Sequence, residues 1–414
     1  MTYKTDSHSI NKIRAVTASD KVHAMLSRGD FPFEKLYILP GFADVHVHFR
    51  EPGFSYKEDL STGTTAAARG GFTDVCAMPN LSPVPDSLET LSVELNLIKK
   101  KAAIGVHPYG ALTVGEKGEK LSAMEDIAPY IAAFSDDGKG VQNEELMEKA
   151  MQKAARLNKV IAAHCEDESL IKGGYINAGQ YAKEHSHAGI VAMSEYLPIQ
   201  RDIKLAKKTG CKYHVCHVSC KESVDLIRKA KKDGVDVTCE TAPHYLILDD
   251  SMLKDEGRFK MNPPIRSAVD RQALINGIAD GTIDMIATDH APHSASEKSG
   301  GLKNSLMGIV GLETAFPLMY TTLVDTGIIT LEKLIKLMCH NPRKRFCLPE
   351  NDDERGFSLW ELDTPYKINP SEFKSKGKST PFEGFTVKGR CLLTVRGEKT
   401  VYEDINAIEK ILRR

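Results

Sequence analysis

The sequence has no run of about 18 consecutive apolar residues, so nothing in it reads as a membrane span. It lacks a charge surplus: 55 Lys plus Arg stand against 56 Asp plus Glu. A chain without excess positive charge has no electrostatic footprint for nucleic acid or an anionic lipid surface. Its nine cysteines are an odd number dispersed over 414 residues, with Cys76, Cys216 and Cys239 inside apolar strand-like runs. That is no disulfide framework, and a reducing, cytoplasmic setting is expected. Residues 1–20 contain no apolar core of a secretory signal, so none is expected. No GxGxxG follows the first strand-like segment, which counts against an open dinucleotide-binding sheet. Charged residues at 27% and apolar ones at 41% describe an ordinary globular chain with a sizeable core.

What is present is a regular alternation. Short apolar runs at Phe42–His48, Thr73–Met78, Gly105–Leu112, Ala132–Ser135, Val160–His164, Tyr213–Val218, Val235–Glu240 and Ile283–Thr288 give eight strand candidates. Helical stretches separate most of them: Lys57–Arg69 stopped by Gly70-Gly71, Asp86–Lys101 closing on three lysines, Asn143–Asn158, Ser194–Thr209, Lys221–Asp233 and Val269–Ala279. Eight strand–helix units in about 250 residues predict an α/β protein of the (β/α)8 TIM-barrel type. The barrel, a metal-dependent hydrolase domain, is expected over residues 40–345. A small accessory β-domain is expected from the termini, residues 1–39 and 346–414. Helix-like Gly311–Leu323 and Leu331–His340 follow the eighth strand. The Gly- and Ser-bearing loop at 294–304 is expected to be mobile.

The chemistry gathers at the carboxyl ends of the predicted strands, where a barrel builds its site. His46 and His48 are at i and i+2 and so share one face of the first strand. A lone buried His is usually a satisfied core residue, but a His-x-His pair closing a first strand points to a metal. His164, His217 and Asp289 end later strands, and Asp136-Asp137 follow the fourth. Neutral imidazole and carboxylate suit zinc or a similar divalent ion. Four His and two Asp exceed one tetrahedral site and fit two ions sharing a bridging carboxylate. His214 is expected to face away from His217 and to serve packing. Cys165 and Cys216 are likewise expected to point away from the ligands. The remaining histidines (His8, His23, His107, His185, His187, His244 and His340) read as surface or core residues. Lys139 could be a carboxylated bridging lysine, which Asp136 and Asp137 make unnecessary. Arg50, two residues past His48, offers a bidentate grip on a carboxylate, against the plainer reading of an ion pair with Glu51. Asn80, Asn262 and His293 end or follow strands and could contact the same ligand.

The segments PGFADVHVHFREPG (40–53), AMPN (77–80), FSDDG (134–138), AHCED (163–167), HVS (217–219), KMNPP (260–264), ATDHAPH (287–293) and GIVGLET (308–314) together resemble the dihydroorotases of the amidohydrolase superfamily. The Asp-Asp-Gly segment resembles the bacterial form with Asp in place of a carboxylated lysine. The resemblance implies two zinc ions per subunit. His46 and His48 would hold one, with Asp289 completing that site. His164 and His217 would hold the other, and Asp137 would bridge. It implies that Arg50, Asn80 and His293 hold the substrate carboxylate, that Asn262 contacts the ring, and that His48 and main-chain groups of Met307 and Gly308 assist. The implied reaction interconverts N-carbamoyl-L-aspartate and L-dihydroorotate in pyrimidine synthesis, through a metal-bound hydroxide with Asp289 as general acid and base. A homodimer is implied, and aspartate transcarbamoylase is a candidate partner. The alternatives are another cyclic-amide hydrolase, a hydantoinase or allantoinase, or a non-catalytic or partner-dependent scaffold for the transcarbamoylase. Ser305-Leu306-Met307 stands where many relatives carry Ala-Pro-Phe or Ala-Pro-Asn, and the stretch before His46 is shorter than usual.

Overall fold

The computed structural model describes residues 36–412, so His8 and His23 and all but the last four residues of the expected 1–39 segment lie outside it. Strand β1, Leu36–Pro40, precedes a ring of parallel strands. The ring begins with β2 (Phe42–Val47), α1 (Leu60–Arg69), β3 (Phe72–Ala77) and α2 (Leu88–Lys101). Strands β4 (Gly105–Pro108) and β5 (Gly110–Ala111) are two halves of one path, parted only by Tyr109. Then come β6 (Phe134–Ser135), α3 (Glu144–Arg156), β7 (Val160–Ala163), α4 (Met193–Thr209), β8 (Lys212–Val215), α5 (Lys221–Lys232), β9 (Val237–Thr241), α6 (Ala268–Asp280) and β10 (Met285–Ile286). Each strand pairs in parallel with the next. The ring meets itself where Val47 pairs in parallel with His290 and the His48 N–H donates to the His290 carbonyl at 2.9 Å.

Local chemistry sets the helix starts. Asp59 caps α1 in a reciprocal box with Thr62, which places the first turn at Leu60, three residues later than composition suggests. Ser87 does the same for α2 with Thr90, and Ser267 for α6 with Asp270. The stretch 311–323 is helical only from Ala315 to Met319 and continues as a π-helix over Tyr320–Val324. Among the described residues no helix is long and apolar enough to cross a membrane.

A second layer lies at one side. Strands β11 (Phe357–Glu361), β12 (Arg390–Arg396) and β13 (Lys399–Glu403) form an antiparallel sheet with β1, in the order β1-β11-β12-β13. Trp360 anchors it to the ring: its side chain packs 4.2 Å from Phe316 and 5.8 Å from Phe42, centroid to centroid. Ser375 and the Lys376 N–H bind the buried Glu58 carboxylate and tie the C-terminal segment to the residues just before α1. The loop at 294–304 carries a 3-10 turn, Ser296–Lys298, and a short helix, Gly301–Asn304, pinned by the Leu302 N–H to Asp255 at 2.8 Å.

Candidate metal centre and active site

Six side chains from five strand ends converge on one point. His46 sits in β2 and His48 just past it, and their ring centroids are 5.3 Å apart. Asp137 follows β6, His164 follows β7, His217 follows β8 and Asp289 follows β10. Asp137 is the centre: its Oδ1 lies 3.4 Å from His46 Nε2 and 3.7 Å from both His164 Nδ1 and His217 Nε2, while its Oδ2 lies 3.4 Å from His48 Nε2. Asp289 Oδ1 is 3.2 Å from His48 Nε2 and 3.6 Å from His46 Nε2. Ligand atoms at 2.0–2.1 Å around a tetrahedral ion are separated by ~3.4 Å, so most of these spacings match those that a metal ion would require. Among the described residues three sets meet the geometry: His46–His48–Asp137 and Asp137–His164–His217, which share the carboxylate, and His46–Cys216–Glu240.

Two of the donor atoms lack partners, whereas His164 Nδ1 and His217 Nε2 lie within hydrogen-bond distance of each other at 2.9 Å. His46 Nε2 and Asp137 Oδ1 are buried without a hydrogen bond, a cost that a cation at this point removes. Burial pushes the Asp137 carboxyl up, but the facing His46 and His217 outweigh it and hold it well below the usual carboxylate range. Asp289 is also lowered, burial being outweighed by His48 and His46. Burial lowers His48, keeping it a neutral imidazole. The backbone is strained at the same place: Arg50, His217 and Asp289 have φ of 62°, 32° and 47°. Such left-handed residues persist only where the surroundings over-determine them.

A supporting layer fixes the tautomers. The His46 Nδ1–H donates to Glu240 Oε1 at 2.7 Å, and the His48 Nδ1–H donates to Asn80 Oδ1 at 2.9 Å. Both rings therefore turn Nε2 lone pairs toward Asp137, as metal-ligating histidines do. Glu240 was not among the expected residues, although it is the one acidic side chain in β9 and stands one residue before that strand's end. His214 corrects the expectation made for it: it faces the same interior as the ligands and binds Glu240 Oε2 at 3.1 Å. Cys216 is corrected likewise, because its thiol lies within 4.8 Å of both His46 and Glu240 donor atoms. Alternation fails here because β8 stops at Val215 and the chain turns through the left-handed His217. Cys165 does point away, to Tyr213 Oη at 3.2 Å.

The expected substrate residues line the same mouth but differ in their engagement. Arg50 Nε donates to the Pro292 carbonyl at 3.3 Å, and burial lowers its pKa, with Asp289 and Asp137 close enough to offset part of that. Asn262 donates through Nδ2 to Glu166 Oε1 at 2.8 Å, while its Oδ1 is buried without a partner. Glu166 was also missed. The His293 Nε2–H donates to the Met307 carbonyl at 2.7 Å; burial, with Arg50 and Lys57 nearby, pushes this imidazole down to about 3. The Gly308 N–H donates to the Lys260 carbonyl at 3.1 Å. In this conformation His293, Met307 and Gly308 are thus bonded within the protein. Gly308 has φ 131°, and a Cβ there would stand 2.6 Å from the Ala291 carbonyl oxygen, so only glycine fits. His244 is buried with Nε2 unpartnered, and burial pushes it down to about 4.

This ring with a carboxylate-centred histidine cluster has the architecture of cyclic-amide hydrolases. The chain superposes on the L-hydantoinase (dihydropyrimidinase) from Arthrobacter aurescens with a TM-score of 0.77 at 27% identity, covering 89% of this chain and 85% of that one. It superposes on the dihydropyrimidinase from Brevibacillus agri NCHU1002 with a TM-score of 0.76 at 21% identity, covering 89% and 85%. The family model described as Dihydro-orotase-like matches residues 35–223. The dihydroorotase of Fusobacterium nucleatum subsp. nucleatum is 51% identical over 373 residues, 89% of this chain and 88% of its own length. That of Bacillus cereus (strain AH820) is 47% identical over 377 residues, 90% and 88%. The chain belongs to the dihydroorotase family.

Proposed function

We propose that the chain is a dihydroorotase, interconverting N-carbamoyl-L-aspartate and L-dihydroorotate in cytoplasmic pyrimidine synthesis, on a (β/α)8 barrel with an accessory β-domain. The observation that carries the reading is the convergence of four histidines and Asp289 around Asp137, with Arg50 beside them. His46, His48, Asp137 and Asp289 would hold one zinc ion, and His164, His217 and the shared Asp137 a second. Bound there, the ions supply Lewis acidity toward the amide carbonyl and lower the pKa of water.

The protein's own groups do the rest. Arg50 binds the exocyclic carboxylate of the ring through its guanidinium fork. Asn262, with an unpartnered buried Oδ1, accepts from a ring N–H. Asp289, held as a carboxylate, accepts a proton from the attacking water. In ring opening the water oxygen bonds to the carbonyl carbon, the ring C–N bond breaks, and Asp289 delivers that proton to the departing nitrogen. In ring closure the proton travels back. Asn80 fixes the His48 ring beside the Asp289 oxygen, and His293 anchors the Met307 carbonyl.

Loss of ultraviolet absorbance on ring opening tests the reading, with purified protein, with and without added zinc, and with hydantoin as competitor. Zinc-dependent opening of dihydroorotate, faster than of hydantoin, is expected. Preference for hydantoin would overturn the substrate, and no turnover with metal bound would overturn independent activity.

A further inference from the structure

Two buried lysines stand beside the mouth without carboxylate partners. Lys298 is 9% exposed and Lys260 6% exposed. Among the described residues neither ammonium forms an ion pair, and no acidic group figures among the causes that shift either one. The Lys298 Nζ donates to two main-chain carbonyls instead, Lys260 at 3.0 Å and Leu306 at 2.7 Å. Lys260 reciprocates: its Nζ donates to the Lys303 carbonyl at 2.9 Å, and it lies 5.2 Å from the Tyr175 ring centroid. The Lys260 carbonyl also takes the Gly308 N–H.

The placement of these acceptors is the point. Lys260 is two residues before Asn262, in the loop after β9. Leu306 is next to Met307, whose carbonyl holds His293, in the loop after β10. One buried amine therefore joins the two segments that present the groups assigned to substrate. An unpaired buried cation is costly and persists only where its hydrogen bonds are needed. Burial, with Lys260 beside it, pushes the Lys298 amine down to about 7. A neutral amine still has two N–H donors, so both carbonyls stay satisfied in either protonation state.

We infer that Lys298 is a positioning residue, a clamp that makes the loop bearing Asn262 and the loop bearing His293, Met307 and Gly308 move as one unit when substrate binds. The inference rests on the dihydroorotase reading for its substrate, but not for its mechanics.

Lys298→Met keeps the apolar stem and removes the donors. The expected result on the zinc-loaded enzyme is a rise of about tenfold or more in KM for dihydroorotate, with kcat within about threefold, because binding groups are loosened while the metal ligands are untouched. Bound zinc and the melting temperature stay close to wild type. Amide deuterium exchange rises in both 257–262 and 303–308. An unchanged KM, or a fall in kcat with KM constant, overturns the clamp, and so does exchange that rises in only one segment. If the variant does not fold, the wild-type enzyme saturated with dihydroorotate decides: the two segments gain protection together, and protection in one alone overturns the inference. If the zinc-loaded wild type opens no dihydroorotate, independent activity fails, and if it prefers hydantoin the substrate reading fails, while exchange in Lys298→Met still tests the clamp.

Discussion

The two ends of the strand ring treat buried charge in opposite ways. At the amino end, Asp74 in β3 is fully buried and almost saturated. It accepts from Arg343 Nη1 at 2.9 Å, His107 Nε2 at 2.9 Å and Arg396 Nη2 at 3.2 Å. Arg343 in turn donates to the carbonyls of Gly41 and Pro349 and to Thr73 Oγ1, leaving only its Nε without an acceptor. At the carboxyl end, Asp137 and His46 carry orphaned atoms, and three neighbouring residues hold left-handed backbone. One end uses its charges to close the ring. The other keeps them partly unsatisfied, poised for a cation and a substrate. Stability and function are thus separable by position along the same strands.

Three substitutions sharpen or break that contrast. The largest effect is expected from Asp289→Asn, which removes the proposed proton carrier. Turnover of dihydroorotate falls ~10²–10⁴-fold, while the circular dichroism spectrum and melting temperature hold. Near-native turnover would remove Asp289 from the mechanism. Arg343→Met should do the reverse, costing ~3–5 kcal/mol in urea unfolding by removing the buried partner of Asp74 Oδ2 and the donor to the Gly41 and Pro349 carbonyls, with kcat per folded molecule unchanged. The same pair sets an acid limit. Burial raises the Asp74 carboxyl, but His107 and Arg343 outweigh it and lower it. A depressed folded pKa contributes stability above the unfolded value, ~3.9, and loses it as pH falls through the folded one. As pH falls below ~4, stability should therefore drop in the wild type and drop less in Arg343→Met; equal slopes would assign the acid limit elsewhere. The smallest effect belongs to Glu240→Gln, which still accepts from His46 but without charge. Zinc affinity measured by chelator competition should fall ~10–100-fold with the fold intact. Unchanged affinity would make Glu240 a packing residue.

Much of this was legible in the sequence because the chemistry is local. Each of the eight strand segments contains or overlaps an observed strand, since short apolar runs between capped helices have few other readings. Phe42–His48 ends one residue early because His48 leaves the strand to reach Asp137. Ile283–Thr288 shrinks to Met285–Ile286 because Thr288 turns its N–H to the Asp44 carboxylate. The six side chains that converge were legible for the same reason: polar side chains at the ends of apolar strands. Glu240 met that rule too, but its purpose depends on His46, 194 residues away in sequence, and no local pattern carries that pairing. His214 and Cys216 were misplaced because a period of two applies only while the strand lasts. Lys298 was invisible because a lysine in a polar loop reads as solvated.

The accessory sheet has a consequence for synthesis. Strand β1 pairs with β11, Leu36 opposite Glu361, and the ring's first strand is also braced by Arg343. Both partners are translated more than 300 residues after β1 begins. At ~5–20 residues per second, the nascent β1 edge waits roughly 15–60 s for its neighbour. Over that interval it is an open edge with unpaired N–H and C=O groups. Growing chains should therefore depend on chaperones far more than the finished protein does, and the final fifth of translation should be when that dependence ends.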